Sequence, residues 1–63
     1  MCLSTVYRNE KEPDSMVMNN VATIECQGEN VILTDLLERK MSIRGTLVLA
    51  DLVNSYCIVK EAE

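Results

Sequence analysis

Cys2 is the residue whose type and position could do chemistry most directly, because it follows Met1 at the start of the sequence. The α-amine of Met1, the backbone nitrogen of Cys2 and the Cys2 thiolate could close two adjoining chelate rings on one metal ion. Nitrogen and thiolate donors suit a square-planar ion such as Ni(II) or Cu(II) better than Mg²⁺ or Ca²⁺. If Met1 were removed, the amine and thiolate of Cys2 would still form one chelate ring, and two such ends together would complete an N₂S₂ square; the sequence here includes Met1, so the first form applies. A structural role for Cys2 in a first strand is the alternative.

The other two cysteines, Cys26 and Cys57, fall at apolar positions of predicted strands, where a free cysteine behaves as a small buried hydrophobe. We therefore predict that both lie in the core. Three widely spaced cysteines without a C-x-x-C pair favour reduced thiols over a disulfide framework. Met16, Met18 and Met41 are interpreted as core or interface residues and not as thioether ligands.

The composition disfavours both catalysis and nucleic-acid binding. The sequence has no histidine for a nucleophile–base pair, and a solvated surface explains its scattered carboxylates. Its net charge is −4, and no run of Lys or Arg forms a phosphate-binding stripe. The apolar run Leu47 to Ala50 is far shorter than a signal-peptide core or a membrane span. We therefore expect a cytoplasmic protein that is not an enzyme and does not enter a membrane.

The elements that must position these residues are predicted to be β-strands. The 63 residues suit a single small β domain, 1–63, whose core of branched aliphatic side chains is marginal in size. Short apolar runs between polar segments predict an all-β fold, a small SH3-like open barrel of about five short strands. The runs that carry this pattern are Cys2–Tyr7, Met16–Cys26, Val31–Leu33, Met41–Arg44, Thr46–Val53 and Tyr56–Lys60.

Two short features qualify this strand pattern. Gly45 follows an alternating run, which predicts either a positive φ or a close approach of another backbone. The segment Thr34–Lys40 has a cap-like residue, good helix formers and a basic end, so it could form one or two helical turns.

From Val31 onward, the sequence VILTDLLERKMSIRGTLVLADLVNSYCIV resembles the carboxyl-terminal half of the CooT family, small proteins of the anaerobic carbon monoxide dehydrogenase system and relatives. The positions that match this pattern are Val31, Leu33, Asp35, Leu36, Leu37, Gly45, Leu47, Asp51, Leu52 and Ile58. The Met1-Cys2 start matches as well. The resemblance therefore covers nearly the whole chain and is weakest between Arg8 and Asn20.

The resemblance implies a homodimer of small SH3-like domains that binds one Ni(II) between its subunits and helps to load nickel into a client enzyme, as a metallochaperone does. The essential ligand would be Cys2, with the Met1 amine as a candidate co-ligand. Two positions depart from the family pattern: Glu38 stands where Gly is usual, and Ser55 where the turn often holds His. The alternatives are a small RNA-binding module of SH3-like fold and an interaction domain whose only role is assembly.

Overall fold

Five β-strands form a closed barrel in the computed structural model, which describes residues 3–62. The strands are β1 (Ser4–Arg8), β2 (Met16–Gln27), β3 (Asn30–Asp35), β4 (Lys40–Asp51) and β5 (Tyr56–Glu61). Consecutive strands pair antiparallel, and β1 pairs in parallel with β5 to complete the ring. The predicted all-β class and small barrel are confirmed, and the sheet is closed where the sequence suggested an open barrel.

β4 connects two parts of the barrel because its two halves pair with different strands. Its first residues pair with β3 and its last residues pair with β5. Gly45 lies where the partner changes, and a Cβ at this position would collide with the backbone of Lys60 and Glu61. Close backbone approach, one of the two roles predicted for Gly45, is therefore confirmed, and the apolar runs on either side of it form one continuous strand.

The barrel interior is filled by small and branched side chains, as the composition predicted. The buried apolar residues are Val6, Val21, Val31, Leu33, Ile43, Cys57 and Val59. The core position predicted for Cys57 is thus confirmed.

The core position predicted for Cys26 is wrong, because its side chain is exposed. Ile24, two residues earlier at the same predicted phase, does pack against the core, so the alternation holds to that point. The pairing of β1 stops at Val21, so no described strand covers the far end of β2 on that side, where Cys26 lies. Among the methionines, Met18 packs against the core, whereas Met16 and Met41 are largely exposed.

The helical turn considered for Thr34–Lys40 does not form. β3 continues to Asp35 and β4 begins at Lys40, so residues 36–39 make a tight turn between antiparallel strands. Glu38 has a φ of 64°, which a right-handed helix cannot include. Within residues 3–62, helical backbone is confined to one short 3₁₀ turn, Pro13–Ser15, so no helix there is long and apolar enough to cross a bilayer.

Candidate functional site

The start of β1 borders the turn between β4 and β5. Thr5 pairs in register with Tyr56, the first residue of β5, and its N–H donates to the carbonyl of Ser55 at 3.0 Å. Residues 52–55 therefore lie on one side of the point where the chain joins the barrel.

The turn between β3 and β4 lies on the other side of the same point. Ser4 pairs with Val21 of β2, and Val21 pairs in turn with Asp35 at the end of β3. The N–H of Leu36 donates to the carbonyl of Asn20 at 2.9 Å, which ties the turn to this part of β2. Two turns thus flank the start of β1.

An aspartate fixes the geometry of the β3–β4 turn. Asp35 Oδ1 accepts the N–H groups of Leu37 and Arg39, each at 2.9 Å, and Asp35 Oδ2 accepts Arg39 Nε at 2.7 Å. The backbone N–H of Arg39 is the main reason that the pKa of Asp35 lies below its ordinary value, although burial opposes the shift. The carboxylate satisfies donors that the tight turn would otherwise leave without partners.

A second aspartate fixes the geometry of the β4–β5 turn in the same way. Asp51 Oδ1 accepts the N–H groups of Val53 at 3.1 Å and Asn54 at 2.9 Å, and Asp51 Oδ2 accepts Asn54 Nδ2 at 2.9 Å. The side-chain amide of Asn54 is the main cause that lowers the pKa of Asp51. In both turns the aspartate fixes the backbone through N–H groups, so the side chains of the two residues that follow it make none of these hydrogen bonds.

These following residues are aliphatic and exposed in both turns. The exposed fractions are 54% for Leu36, 70% for Leu37, 79% for Leu52 and 92% for Val53. We call these four side chains the apolar rim. Turns normally carry Gly, Pro, Asn, Asp or Ser, and single exposed aliphatics are common, but a group of them around one point marks an interaction site.

The predicted metal ligands Cys2 and Met1 lie outside the described residues. Cys2 is joined to Leu3, which is half-buried and leads into the start of β1 between the two turns. The chain segment that carries the predicted ligands therefore connects to the barrel beside the apolar rim.

The described part of the chain offers no competing metal site. Across residues 3–62, no group of three His, Cys, Asp or Glu side chains is placed to hold a metal ion. Burial raises the pKa of the Cys57 thiol, and the hydrogen bond to the Ser4 side chain only partly opposes this shift. Cys57 therefore remains a protonated core thiol, which is a poor metal ligand.

The arginine and tyrosine side chains that RNA binding would use have partners within the protein. Each of the three arginines pairs with a carboxylate, in the pairs Arg8–Glu61 at 3.4 Å, Arg39–Asp35 at 2.7 Å and Arg44–Glu29 at 3.7 Å. The rings of Tyr7 and Tyr56 pack edge to face, with centroids 6.2 Å apart, and Lys11 Nζ lies 4.3 Å from the Tyr56 ring centroid. No observation in residues 3–62 thus favours the RNA-binding alternative, which was drawn from fold resemblance.

The family model of the CO dehydrogenase accessory protein CooT matches residues 1–60 of the 63-residue chain. The chain belongs to the CooT family. The match includes Met1, Cys2 and both aspartate-held turns, and the family description gives this CooT protein an accessory role to carbon monoxide dehydrogenase. No curated protein matches the chain by sequence similarity.

The two departures from the CooT pattern both have left-handed backbone. Glu38 has a φ of 64° and Ser55 a φ of 57°. A residue with a Cβ is disfavoured in this region by about 1–2 kcal/mol, so the glycine usual at position 38 would fit the turn with less strain. The turn nevertheless forms with Glu38, because Asp35 holds it from both sides.

Sequence reasoning did not identify the apolar rim as a functional surface. Its signal was present as an aspartate followed by two aliphatic residues at the end of both β3 and β4, in Asp35-Leu36-Leu37 and Asp51-Leu52-Val53. In the sequence, Leu36, Leu37 and Leu52 carry the family resemblance and Val53 ends a predicted strand, because exposure in a turn cannot be read from residue type.

Proposed function

We propose that this CooT-family protein binds Ni(II) through its amino terminus as a homodimer and supplies the ion to carbon monoxide dehydrogenase. Nickel is the cargo in this proposal. Cys2 supplies a thiolate and Met1 supplies its amine, and two chain ends share one ion in an N₂S₂ set that suits square-planar Ni(II). The accessory role of the family and the nickel content of the enzyme that it serves support this function.

The observation that carries the proposal is the position of the start of β1. Leu3 and Ser4 lead into the barrel between two turns whose exposed side chains are aliphatic. A two-fold axis brings identical residues of two copies together when they lie close to it. A contact between copies at this end of the barrel would bring both amino termini to one axis, as a shared ion requires.

The chemistry of the other thiols supports the assignment to Cys2. A metal-bound cysteine must be deprotonated, and burial raises the pKa of Cys57. Cys26 is exposed on β2, so it can reach solvent ions, but within residues 3–62 it belongs to no group of three His, Cys, Asp or Glu side chains placed to hold a metal ion. A reducing cytoplasm, which we propose as the location, would keep all these thiols available.

A nickel titration tests the function. We expect Ni(II) to produce a sulfur-to-metal charge-transfer band that saturates at about half an equivalent per chain, since two copies share one ion. Cys2→Ser should abolish the band. Cys26→Ser is the matched control, because it removes an exposed thiol from β2 and should leave the titration unchanged.

Unchanged nickel binding in Cys2→Ser, or loss of binding in Cys26→Ser, would contradict the proposal. The part played by Met1 is tested separately by adding a short Gly-Ser extension before it. The extension moves the α-amine away while it leaves Cys2 in place, so we expect weaker binding and a shifted band. An identical band would remove Met1 from the ligand set.

A further inference from the structure

We infer that the open edge of β2, residues 22–27, binds an extended segment of the client enzyme as an additional β-strand. This inference rests on the proposed function and adds the surface that contacts the client and the kind of segment that fits it. We call residues 22–27 the β2 edge. The segment it fits is an extended polypeptide with a basic side chain opposite Glu25.

The β2 edge has a neighbouring strand on one side only. The pairing of β2 with β1 ends at Val21, whereas its pairing with β3 continues to Gln27. Within residues 3–62, no strand other than β3 pairs with this part of β2. The side that faces away from β3 is therefore open to a further strand.

The register of the neighbouring strands shows which backbone groups point outward from the β2 edge. The N–H of Asp35 donates to the carbonyl of Arg39 at 3.0 Å, so odd-numbered residues of β3 bond to β4 and even-numbered ones bond to β2. Glu25 pairs with an even-numbered residue of β3 and therefore bonds to that strand. The N–H and carbonyl groups of its neighbours, Ile24 and Cys26, consequently point away from β3.

Outward N–H and carbonyl groups on a strand bind another extended chain, which is the basis of recognition by strand addition. Native edges are commonly protected from such pairing by Lys or Pro, and the β2 edge, ATIECQ, contains neither. The first residues of β4, 40–43, also pair with β3 alone, but that edge begins at Lys40. Of these two open edges, the β2 edge is thus the one without a protecting cation.

Charge selects a basic segment as the occupant. Glu25 is the only charged residue of the β2 edge, its side chain is exposed, and no ion pair among residues 3–62 includes it. An added strand places its side chains opposite those of β2, where opposite charges attract and like charges repel. An isologous pairing of two β2 edges would bring two copies of Glu25 together, so a second copy of the chain is disfavoured there.

The position of the β2 edge favours the client enzyme as the source of this segment. Ser4 pairs with Val21, directly before the edge, so the chain segment that carries Cys2 joins the barrel where the edge begins. Delivery of an ion requires the recipient to lie beside the chain end that holds it. An enzyme segment bound along the β2 edge meets this requirement.

The test is isothermal titration calorimetry of nickel-free carbon monoxide dehydrogenase with the wild type and with variants of the β2 edge. Cys26→Pro removes an outward N–H and no hydrogen bond to β3, so the barrel should remain folded. Cys26→Ser is the matched control, because it alters the same exposed side chain and keeps the N–H. We expect the dissociation constant to rise by about 10-fold or more in Cys26→Pro and to stay unchanged in Cys26→Ser.

Glu25→Lys provides a second variant that leaves the backbone intact. It puts a cation on the edge and repels a basic segment, so we expect weaker enzyme binding here as well. Glu10→Lys, at an exposed position of the β1–β2 connection, is the control with the same change in net charge. Far-ultraviolet circular dichroism and thermal unfolding verify that each variant is folded.

The outcomes separate this inference from the proposed function. Unchanged enzyme binding in both Cys26→Pro and Glu25→Lys, or equal losses in their controls, would overturn the inference even where Cys2→Ser abolishes nickel binding. Altered sedimentation of folded Glu25→Lys without the enzyme would also overturn it, because the edge would then contact a second copy. Selective loss of enzyme binding in the two edge variants, with an unchanged nickel titration, would support it even where nickel binding proves independent of Cys2.

Discussion

At both ends of this barrel, a side chain holds the connection between strands by hydrogen bonds to the backbone, but the side chains around it differ in polarity. At one end lie the β1–β2 connection, residues 9–15, and the β2–β3 turn, residues 28–29, which together form a polar rim. Here Asn9 joins the β1–β2 connection to β5 through its side-chain amide, and the surrounding residues are charged. At the apolar rim, Asp35 and Asp51 fix their turns by equivalent hydrogen bonds, but the residues that follow are exposed aliphatics. The geometry of a turn and the polarity of its exposed surface are thus set by separate residues. The surface at one end is therefore available for binding.

The largest effect is expected at Gly45 of β4, which borders the polar rim through its hydrogen bond to Glu29 and where packing rather than binding constrains the sequence. Gly45→Ala would place a methyl group against the backbone of Lys60 and Glu61, which cannot rotate away. We expect a loss of about 3 kcal/mol in the free energy of unfolding, measured with urea. Gly28→Ala is the control, because a Cβ there meets nothing within 4 Å and only the positive φ of 58° opposes it. A similar loss in both variants would show that backbone conformation, not contact, explains Gly45.

The next prediction compares the two aspartates that hold the turns beside the apolar rim. Asp35 is only 4% exposed and its removal in Asp35→Ala leaves the N–H groups of Leu37 and Arg39 without their acceptor. The bonds of Asp51 are exposed, so water can replace them in Asp51→Ala. We expect Asp35→Ala to lower the thermal unfolding midpoint further than Asp51→Ala. The reverse order would mean that the two turns are not held in the equivalent way described here.

Acid should weaken the apolar end through the same carboxylates. The folded-state pKa of Asp35 lies below its ordinary value of 3.8, chiefly because of the Arg39 backbone N–H. Its contribution to stability is therefore complete above about pH 4 and is lost as the pH falls through the folded pKa. In urea unfolding between about pH 2 and 5, Asp35→Asn should show a flatter dependence than the wild type. An unchanged slope would exclude Asp35 as a source of acid sensitivity.

The smallest effect concerns backbone strain at Glu38, in the β3–β4 turn beside the apolar rim. Glu38→Gly should raise the free energy of unfolding by about 0.5–1 kcal/mol, because relief of the left-handed conformation exceeds the entropic cost of glycine. Glu10→Gly is the control, since Glu10 is exposed in the polar rim and has no positive φ. Stability lost in both variants would show that the φ of Glu38 causes no strain.

The sequence predicts most of this fold but only part of the site. Alternating aliphatics indicate strands, and Gly45 after such a run indicates close backbone approach, because both signals are local. The exposure of Cys26 depends on where the pairing between β1 and β2 ends, which residue type does not encode. The turn after Asp35 depends on a carboxylate that accepts backbone N–H groups, and the same residue can equally begin a helix.

The candidate site shows the same division between local and non-local information. Cys2 and Met1 are predicted as ligands from covalent proximity alone, and they stay a prediction because they lie outside residues 3–62. The meeting of two distant turns at the start of β1 follows from barrel closure, so it becomes visible only in three dimensions.

The most direct test of the account is nickel K-edge X-ray absorption of the nickel-loaded protein, because it counts the sulfur atoms around the ion. The account predicts a square-planar shell with two sulfur and two nitrogen donors, and the loss of that sulfur signal in Cys2→Ser. A six-coordinate shell of oxygen and nitrogen without sulfur, or a sulfur signal that persists in Cys2→Ser, would contradict it.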